Sequence, residues 1–347
     1  ISTKLIDSML HLGPRAFEEI GGEVVQSTSF VLRKSKIKNV NGSYIRVVNF
    51  DTAKLKKEKT LHAVKDFHAP YRYEFIQDNF RKIPGSPLAY WIGKNAIENF
   101  LKPKFCDFAK ARAGMITGNN ALFTKLWFEV SLTKIGFNYN SRESAKLSKK
   151  KWFPYNKGGE FRKWYGNNEF VVDWENDGYN LQNTRDESGK IPAHAFNFEY
   201  IFKKAITWTS VTSSKFSARN CEGGFLFDAA GSFAKADKNH HDYLLGFLNS
   251  KVAEYYLRLL NPTLNYQKGN IESLPIVENQ YFKKKIKDIV FKNIEISKHD
   301  WDSFEISWDF TKHPFLKFPS ITIKSSFICW EQFAENQFKQ LKENEEE

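Results

Sequence analysis

The side chains able to do chemistry are few and poorly spaced for it. The three cysteines, Cys106, Cys221 and Cys329, lie far apart with no Cys-x-x-Cys, so neither a disulfide framework nor a zinc ribbon is indicated. His62 and His68 are not at i,i+4 spacing, so one helix face cannot present both to a metal. His240-His241 adjoins Asp242 at a helix start, where capping and surface exposure account for the pair. No Glu-x-Lys triplet of the nuclease carboxylate type is present, and no G-x-G occurs. A Rossmann-like phosphate turn is therefore missing. Asn261-Pro262-Thr263-Leu264 is half of an [Asn/Asp]-Pro-Pro-aromatic tetrad, which grips an exocyclic amine and stacks a flipped base. It follows a helix rather than a strand, and Leu264 has no π-face to stack on. The expectation is a chain with no catalytic and no metal-ligating residues of its own.

Binding is better provided for. Arg142 to Lys163 (RESAKLSKKKWFPYNKGGEFRK) holds eight Lys/Arg against two Glu, a local charge of +6. Trp152, Phe153, Tyr155 and Phe161 lie between the cations. Cations attract phosphate and release counterions, while aromatics anchor the loop or stack on bases. The alternative is a solvated basic loop with core aromatics. Lys149, Lys150, Lys151, Lys157, Arg162 and Lys163 are the candidates here. In ITGNNALF, Thr117 and Gly118 precede Asn119 and Asn120. An Asn can read an adenine edge in the major groove, although Asn-Asn after Gly is also ordinary turn chemistry. Lys215 and Arg219 in SSKFSARNCEGG are similar candidates, with a hairpin turn as the alternative. Gly158-Gly159 and Gly223-Gly224 read first as plain turns.

Composition agrees with a binding role. The 347 residues carry 52 Lys+Arg against 40 Asp+Glu, a net charge of +12, with 41% hydrophobic and 16% aromatic residues. That is enough apolar material for one large or two ordinary domains, and the positive excess suits a polyanion, nucleic acid above all. No apolar run approaches a membrane span and no signal peptide opens the chain, so the expectation is a reducing cytoplasm and no membrane partner. A start at Ile1 and an uncapped helical end, KQLKENEEE, read as a fragment of a longer protein.

The elements that must position these residues follow from pattern. HLGPRAFEEI is helix-compatible; a Gly21-Gly22 turn leads to a strand from Val24 to Leu32, and the Asn41-Gly42 turn to a second from Tyr44 to Phe50, as a hairpin. TAKLKKEKTLHAVKD is a basic helix with a solvated face. Ser86-Pro87 starts another, since Ser caps well and Pro at the first position costs no hydrogen bond. Its stripe would be Leu88, Trp91, Ile92, Ile97, Phe100 and Leu101. From Ala113 to about Phe233 short β-prone runs (LFTKLWFEV, EFVVDW, KAITWTSV, GFLFDA) alternate with Gly, Asn and Asp. Asp242 to Leu260 reads as one helix, and the Lys-rich remainder as helical. No internal repeat or long low-complexity segment is visible.

HLGPRAFEEIGGEVVQ, IPGSPLAYWI, ITGNNALFTKLWFEV, KWFPYNKGGEFRKWY, FLFDAAGSF and LLGFLNSKVAEYYLRLLNPTLNYQKGNIESLPIV together resemble the C-terminal part of bacteriophage-exclusion (BREX) adenine methyltransferases of the PglX type. The later segments also resemble TaqI-like and type IIG specificity domains. The resemblance covers nearly the whole chain, in the family's order. It implies an α+β fold: residues 1–50 as the last strands of a methyltransferase sheet, 51–110 as a helical connector, 111–280 as a mostly β target-recognition domain, and 281–347 as a C-terminal helical region. It implies that the intact parent transfers methyl from S-adenosylmethionine to adenine N6 in a specific site, marking host DNA against phage. This part would recognise double-stranded DNA, without cofactor and inactive alone. The Thr117-Gly118-x-Asn120 match transfers as a landmark at the start of the recognition domain.

Two other readings stand beside this one. A protein-interaction scaffold would use the basic surface to dock acidic partners, such as other defence proteins or acidic DNA-mimicking phage proteins. A type I-like specificity subunit would normally have two recognition domains and long spacer helices, and only one such domain is visible here.

Overall fold

The structure, a computed structural model, is described over residues 4–18, 25–34, 37, 39–261 and 263–347. It divides into two compact units, Ile1–Lys102 and Pro103–Glu347, and is of α+β class. The expected Gly21-Gly22 turn, Val24 and Pro262 lie outside the described residues.

The first unit is built on a four-stranded sheet. Its strands are β1 (Leu5–Gly13), β2 (Ser27–Arg33), β3 (Asn41–Arg46) and, after helix α1 (Ala53–Lys65), β4 (Arg72–Ile76). A short helix α2 (Lys94–Asn99) follows. The sheet order is β2-β1-β3-β4, with β1 antiparallel to β2 and parallel to β3, and β3 antiparallel to β4. Three sequence expectations fail here. The helix-compatible HLG opening is the end of β1, which buries Leu5, Ile6 and Met9. The two later strands form no hairpin, because β1 lies between them. Asn41-Gly42 begins β3 rather than turning into it, and Gly42 is there for close approach: a Cβ would sit 2.5 Å from the Ile6 carbonyl oxygen.

Thr52 caps α1, its hydroxyl accepting from the Leu55 amide at 3.2 Å. The helix is basic and mostly exposed, yet Lys56 is buried. Its ammonium donates to the carbonyls of Leu12 (2.7 Å), Val47 (2.9 Å) and Val48 (3.2 Å), which satisfies all three N–H groups. Ser86-Pro87 starts no helix. Ser86 is left-handed (φ +49°), which a helix N-cap is not, and α2 begins only after Gly93. Ile92, Ile97 and Phe100 are buried as the expected stripe requires, whereas Trp91 and Leu101 are exposed.

The second unit opens with α3 (Phe105–Phe108), β5 (Ala109–Arg112), α4 (Asn120–Phe123) and β6 (Thr124–Leu126). Then come α5 (Arg142–Leu147), β7 (Trp152–Asn156), β8 (Phe170–Asp173), α6 (Glu175–Asn183), β9 (Ala205–Trp208), β10 (Ala218–Cys221), β11 (Leu226–Phe227) and β12 (Phe233–Ala236). Two four-stranded sheets result, β10-β9-β12-β5 and β11-β7-β8-β6. Phe153, Tyr155, Val172 and Trp174 sit in a core cluster with Met115, Phe123, Phe202 and Leu226; Tyr200, Phe227 and Phe233 form a second with Cys221. The β-prone runs therefore become strands, only two residues long in GFLFDA and three in LFTKLWFEV, where a 3-10 turn takes over at Trp127.

Helices α7 (His241–Leu248), α8 (Lys251–Leu260), α9 (Lys268–Glu272), α10 (Gln280–Trp301) and α11 (Ile323–Glu346) complete the unit. The single helix expected over Asp242–Leu260 is two. The break falls at Asn249, whose amide group docks on β10, accepting from the Ala218 amide (2.9 Å) and donating to its carbonyl (3.0 Å). Ser250 then caps α8 through the Ala253 amide. Leu274-Pro275-Ile276 runs antiparallel to Pro103–Phe105. Phe105 N–H donates to the Leu274 carbonyl (2.9 Å) and Ile276 N–H to that of Pro103 (2.8 Å), so the two ends of this segment are tied together. Asn261, the half-tetrad residue, is occupied by its own turn. Its oxygen accepts from the Thr263 amide (3.1 Å) and hydroxyl (2.6 Å), and its NH₂ donates to the Asn265 carbonyl.

Candidate nucleic-acid interface

The basic run is largely neutralised where it stands. Arg142 makes a two-pronged pair with Asp177 (3.0 and 2.5 Å) and lies 4.0 Å over the Phe198 ring. Lys151 is 3.6 Å from Asp173. The ammonium of Lys157 is 3.2 Å from Asp228, beside the rings of Tyr155 and Phe170. Asp228 also accepts the Tyr155 hydroxyl at 2.8 Å; burial, then that carboxylate's charge, raises the phenol's pKa. Arg162 pairs with Asp300 of α10 at 3.0 Å and stacks 5.0 Å from the Trp301 ring centre. Glu345 of α11 takes both the Lys163 ammonium (2.8 Å) and the Trp164 indole N–H (2.7 Å). Beneath these contacts lies a cavity of about 420 Å³ lined mostly by apolar groups, Phe161, Trp164, Phe304, Trp330 and Phe333 among them.

Of the remaining candidates, Lys150 donates to the Thr133 carbonyl at 2.6 Å. Lys149, held left-handed at φ +55°, and Lys215 are exposed and have no carboxylate partner among the described residues. Arg219 is 1% exposed. It donates to the Arg162 carbonyl (3.3 Å) and the Thr209 hydroxyl (3.2 Å), while its Nε has no partner. Burial, helped by the Arg162 charge, pulls its guanidinium down to about 10. No ligand reaches this group without opening the fold.

Thr117, Gly118, Asn119 and Asn120 form one compact turn. Thr117 is 2% exposed, and its hydroxyl donates to Asn120 Oδ1 at 2.7 Å. Gly118 takes φ +74°, and a Cβ there would lie 2.5 Å from the Pro192 ring. Asn119 caps α4, its oxygen accepting from the Leu122 amide at 3.1 Å. Both Asn side chains are exposed, but each oxygen already accepts one bond. The bidentate adenine contact needs that oxygen as acceptor, so the outward NH₂ groups are the readier contacts. His240 and His241 divide: His240 pairs with Asp237 (2.8 Å), whereas His241 is buried, its Nε2 2.8 Å from Asn220 Oδ1. Burial, then Lys204, lowers His241 to about 4, which overturns the surface-exposure reading of this residue.

Two cations that no sequence pattern singled out meet on the β10-β9-β12-β5 sheet. Lys110 of β5 and Lys235 of β12 are direct cross-strand partners and both are exposed. Neither has a carboxylate partner among the described residues. Like charges directly opposite destabilise a strand pair, so this position carries an uncompensated positive charge. Arg112, on the same face of β5, rests 5.3 Å over Tyr200. The only sequence signal was alternation, Lys-x-Arg in one strand and Phe-x-Lys in the other; register decided the rest.

The chain is 42% identical over 352 residues to the adenine-specific methyltransferase PglX of Lacticaseibacillus casei (strain Zhang), covering 99% of this chain and 29% of that protein. It is 33% identical over 344 residues to the adenine-specific methyltransferase BrxX of Escherichia coli O9:H4 (strain HS), covering 98% and 26%. It thus spans less than a third of the length of these curated relatives. No family model matches. Similar solved structures are the type IIL restriction-modification enzyme MmeI in complex with DNA (TM-score 0.45, 11% identity, 97% of this chain, 46% of that one) and the type IIG restriction endonuclease BpuSI (0.34, 10%, 98%, 44%). Both likenesses are too distant to bear on the site.

Proposed function

Since the chain corresponds to a C-terminal part of adenine-specific methyltransferases of the PglX and BrxX kind, we propose that it is the part that recognises double-stranded DNA in phage defence. Methyl transfer from S-adenosylmethionine to adenine N6 is assigned to the rest of the whole protein. The chain's own residues do not suit that donor, having no G-x-G turn to cradle it. Recognition is placed in about residues 111–280, framed by 1–50 as the end of the methyltransferase sheet, 51–110 as connector and 281–347 as the C-terminal helical region. The pairing of 103–105 with 274–276 supports treating the segment between them as one module.

The observation that carries the DNA reading is the opposed pair Lys110 and Lys235, a positive site with no carboxylate partner among the described residues. A phosphate backbone supplies that counter-charge. Of the other candidates, the Asn119 and Asn120 amides and Lys149 and Lys215 are also exposed. The test is a duplex titration by fluorescence anisotropy across salt concentrations. Log K should fall with log salt at about −0.9 per neutralised phosphate. A flat salt response overturns the reading. Equal retention of an acidic peptide of matched charge would instead favour a scaffold that docks acidic proteins.

A further inference from the structure

The first unit holds a group of side chains that the DNA reading does not use. His11 and Arg46 are register partners near the carboxyl ends of the parallel strands β1 and β3, the end of a parallel pair where α/β sheets place ligands. The loop before α2 folds over the same face. Tyr90 stacks on Tyr44 with ring centres 4.4 Å apart and interplanar angle 15°, and its hydroxyl is 3.2 Å from His11 Nδ1. Trp91 stands perpendicular to Tyr90 (5.1 Å, 88°) and 6.3 Å from the His11 ring. The Arg46 guanidinium lies 4.8 Å from the Trp91 ring centre.

Three features set this group apart from core packing. Trp91 is 37% exposed although its neighbour Tyr90 is 2% exposed. Arg46 has no carboxylate partner among the described residues, and its buried Nε has no hydrogen-bond partner. The charges that act on His11, Arg46 and Lys56, are both cations; with burial as the larger cause, they hold its imidazole below the ordinary histidine value. At neutral pH the site is therefore a guanidinium beside an uncharged imidazole and an open indole. Such a set lacks an anion and offers a π-surface next to it.

We infer that Trp91, Arg46 and His11 form a binding site for one unpaired nucleotide of DNA, the base lying on the indole and the phosphate on the guanidinium. Base–aromatic stacking tolerates every base, and arginine adds a cation–π share. His11, held by the Tyr90 hydroxyl, supplies a hydrogen bond to the nucleotide without a charge. Tyr90 is a positioning residue, since its ring is covered by Tyr44. The inference shares the premise that the chain works on DNA, but it does not use the lysines of the second unit.

The experiment compares two labelled probes on the whole chain, a short single-stranded oligodeoxyadenylate and a fully paired duplex. Trp91→Ala should weaken the single strand about tenfold, as loss of one stacked base does, while Trp91→Phe keeps most of the affinity. Arg46→Ala should weaken it too and lower its salt slope by about one phosphate. Duplex binding should change by less than about twofold in all three, the scale of one contact not made. Single-strand affinity unchanged in both Trp91→Ala and Arg46→Ala overturns the site. If Trp91→Ala lowers the melting temperature sharply, Trp91→Phe and Arg46→Ala decide the matter, since both keep the stacked Tyr90–Tyr44 pair. Failure of the lysine face shows differently: the wild-type chain would not hold duplex, yet the single-strand response to Trp91→Ala would stand.

Discussion

The loop from Lys157 to Lys163 and the strand pair β5–β12 are both basic, and they hold their charge in opposite ways. In the loop Lys157, Arg162 and Lys163 meet Asp228, Asp300 and Glu345. On the strands Lys110 and Lys235 meet each other. The loop has the denser positive sequence and the less available charge, because α10 and α11 bring carboxylates from far along the chain. A run of cations in a sequence measures how much charge must be compensated, not where it remains uncompensated. Exposed ion pairs are individually weak, so the carboxylates on the loop compete with phosphate without excluding it.

Several substitutions would break or sharpen that contrast. The largest effect should come from Lys110→Glu with Lys235→Glu, which lowers duplex affinity on the order of tenfold per lysine and flattens the salt slope by about one for each. An unchanged anisotropy titration would mean that the strand face does not touch DNA. Next comes Gly118→Ala. The Pro192 ring stands 2.5 Å from the new Cβ and φ is +74°, so the turn should lose about 1–3 kcal/mol, read as a lower urea midpoint. Binding measured well below that midpoint should change only if Asn119 or Asn120 contacts DNA.

On the loop, Asp300→Asn with Glu345→Gln should raise duplex affinity about threefold by releasing Arg162 and Lys163, with a steeper salt slope. A loss of affinity would show that α10 and α11 hold the loop in its working shape. The smallest change is expected for Lys163→Gln, within about twofold in affinity at physiological ionic strength. pH tests the scaffold under both regions. His241 sits near 4 when folded against 6.5 ordinarily, so the unfolded chain binds the extra proton between those values. Its contribution is then complete above about 6.5 and fades as pH falls toward 4. His241→Gln should make the urea midpoint less sensitive over that window, and an unaltered pH profile would contradict the buried, neutral imidazole.

Local pattern predicted some elements well. EFVVDW and KAITWTSV became β8 and β9 because their β-branched and aromatic residues are buried in place. It misjudged His11–Gly13, read as the start of a helix-compatible piece, which is the end of β1 between β2 and β3. It also missed the break at Asn249, which exists only because β10 offers the Ala218 backbone to that amide. Ser86-Pro87 has good capping chemistry, yet the stacking of Tyr90 on Tyr44 governs that loop instead. Among the site residues, Arg219 looked like a surface cation in its local sequence and is buried beneath Thr209 and the Arg162 backbone.

Residue order alone gave the excess of cations on which the expectation of a polyanionic partner rests, and it carried the resemblance that the two relatives bear out. Charge type and hydrophobic period are properties of neighbours along a chain, so they can be read there. Which cations stay available was settled only in three dimensions. A counter-charge acts across a few ångströms, and Glu345 reaches Lys163, like Lys235 reaching Lys110, only after the intervening chain has folded.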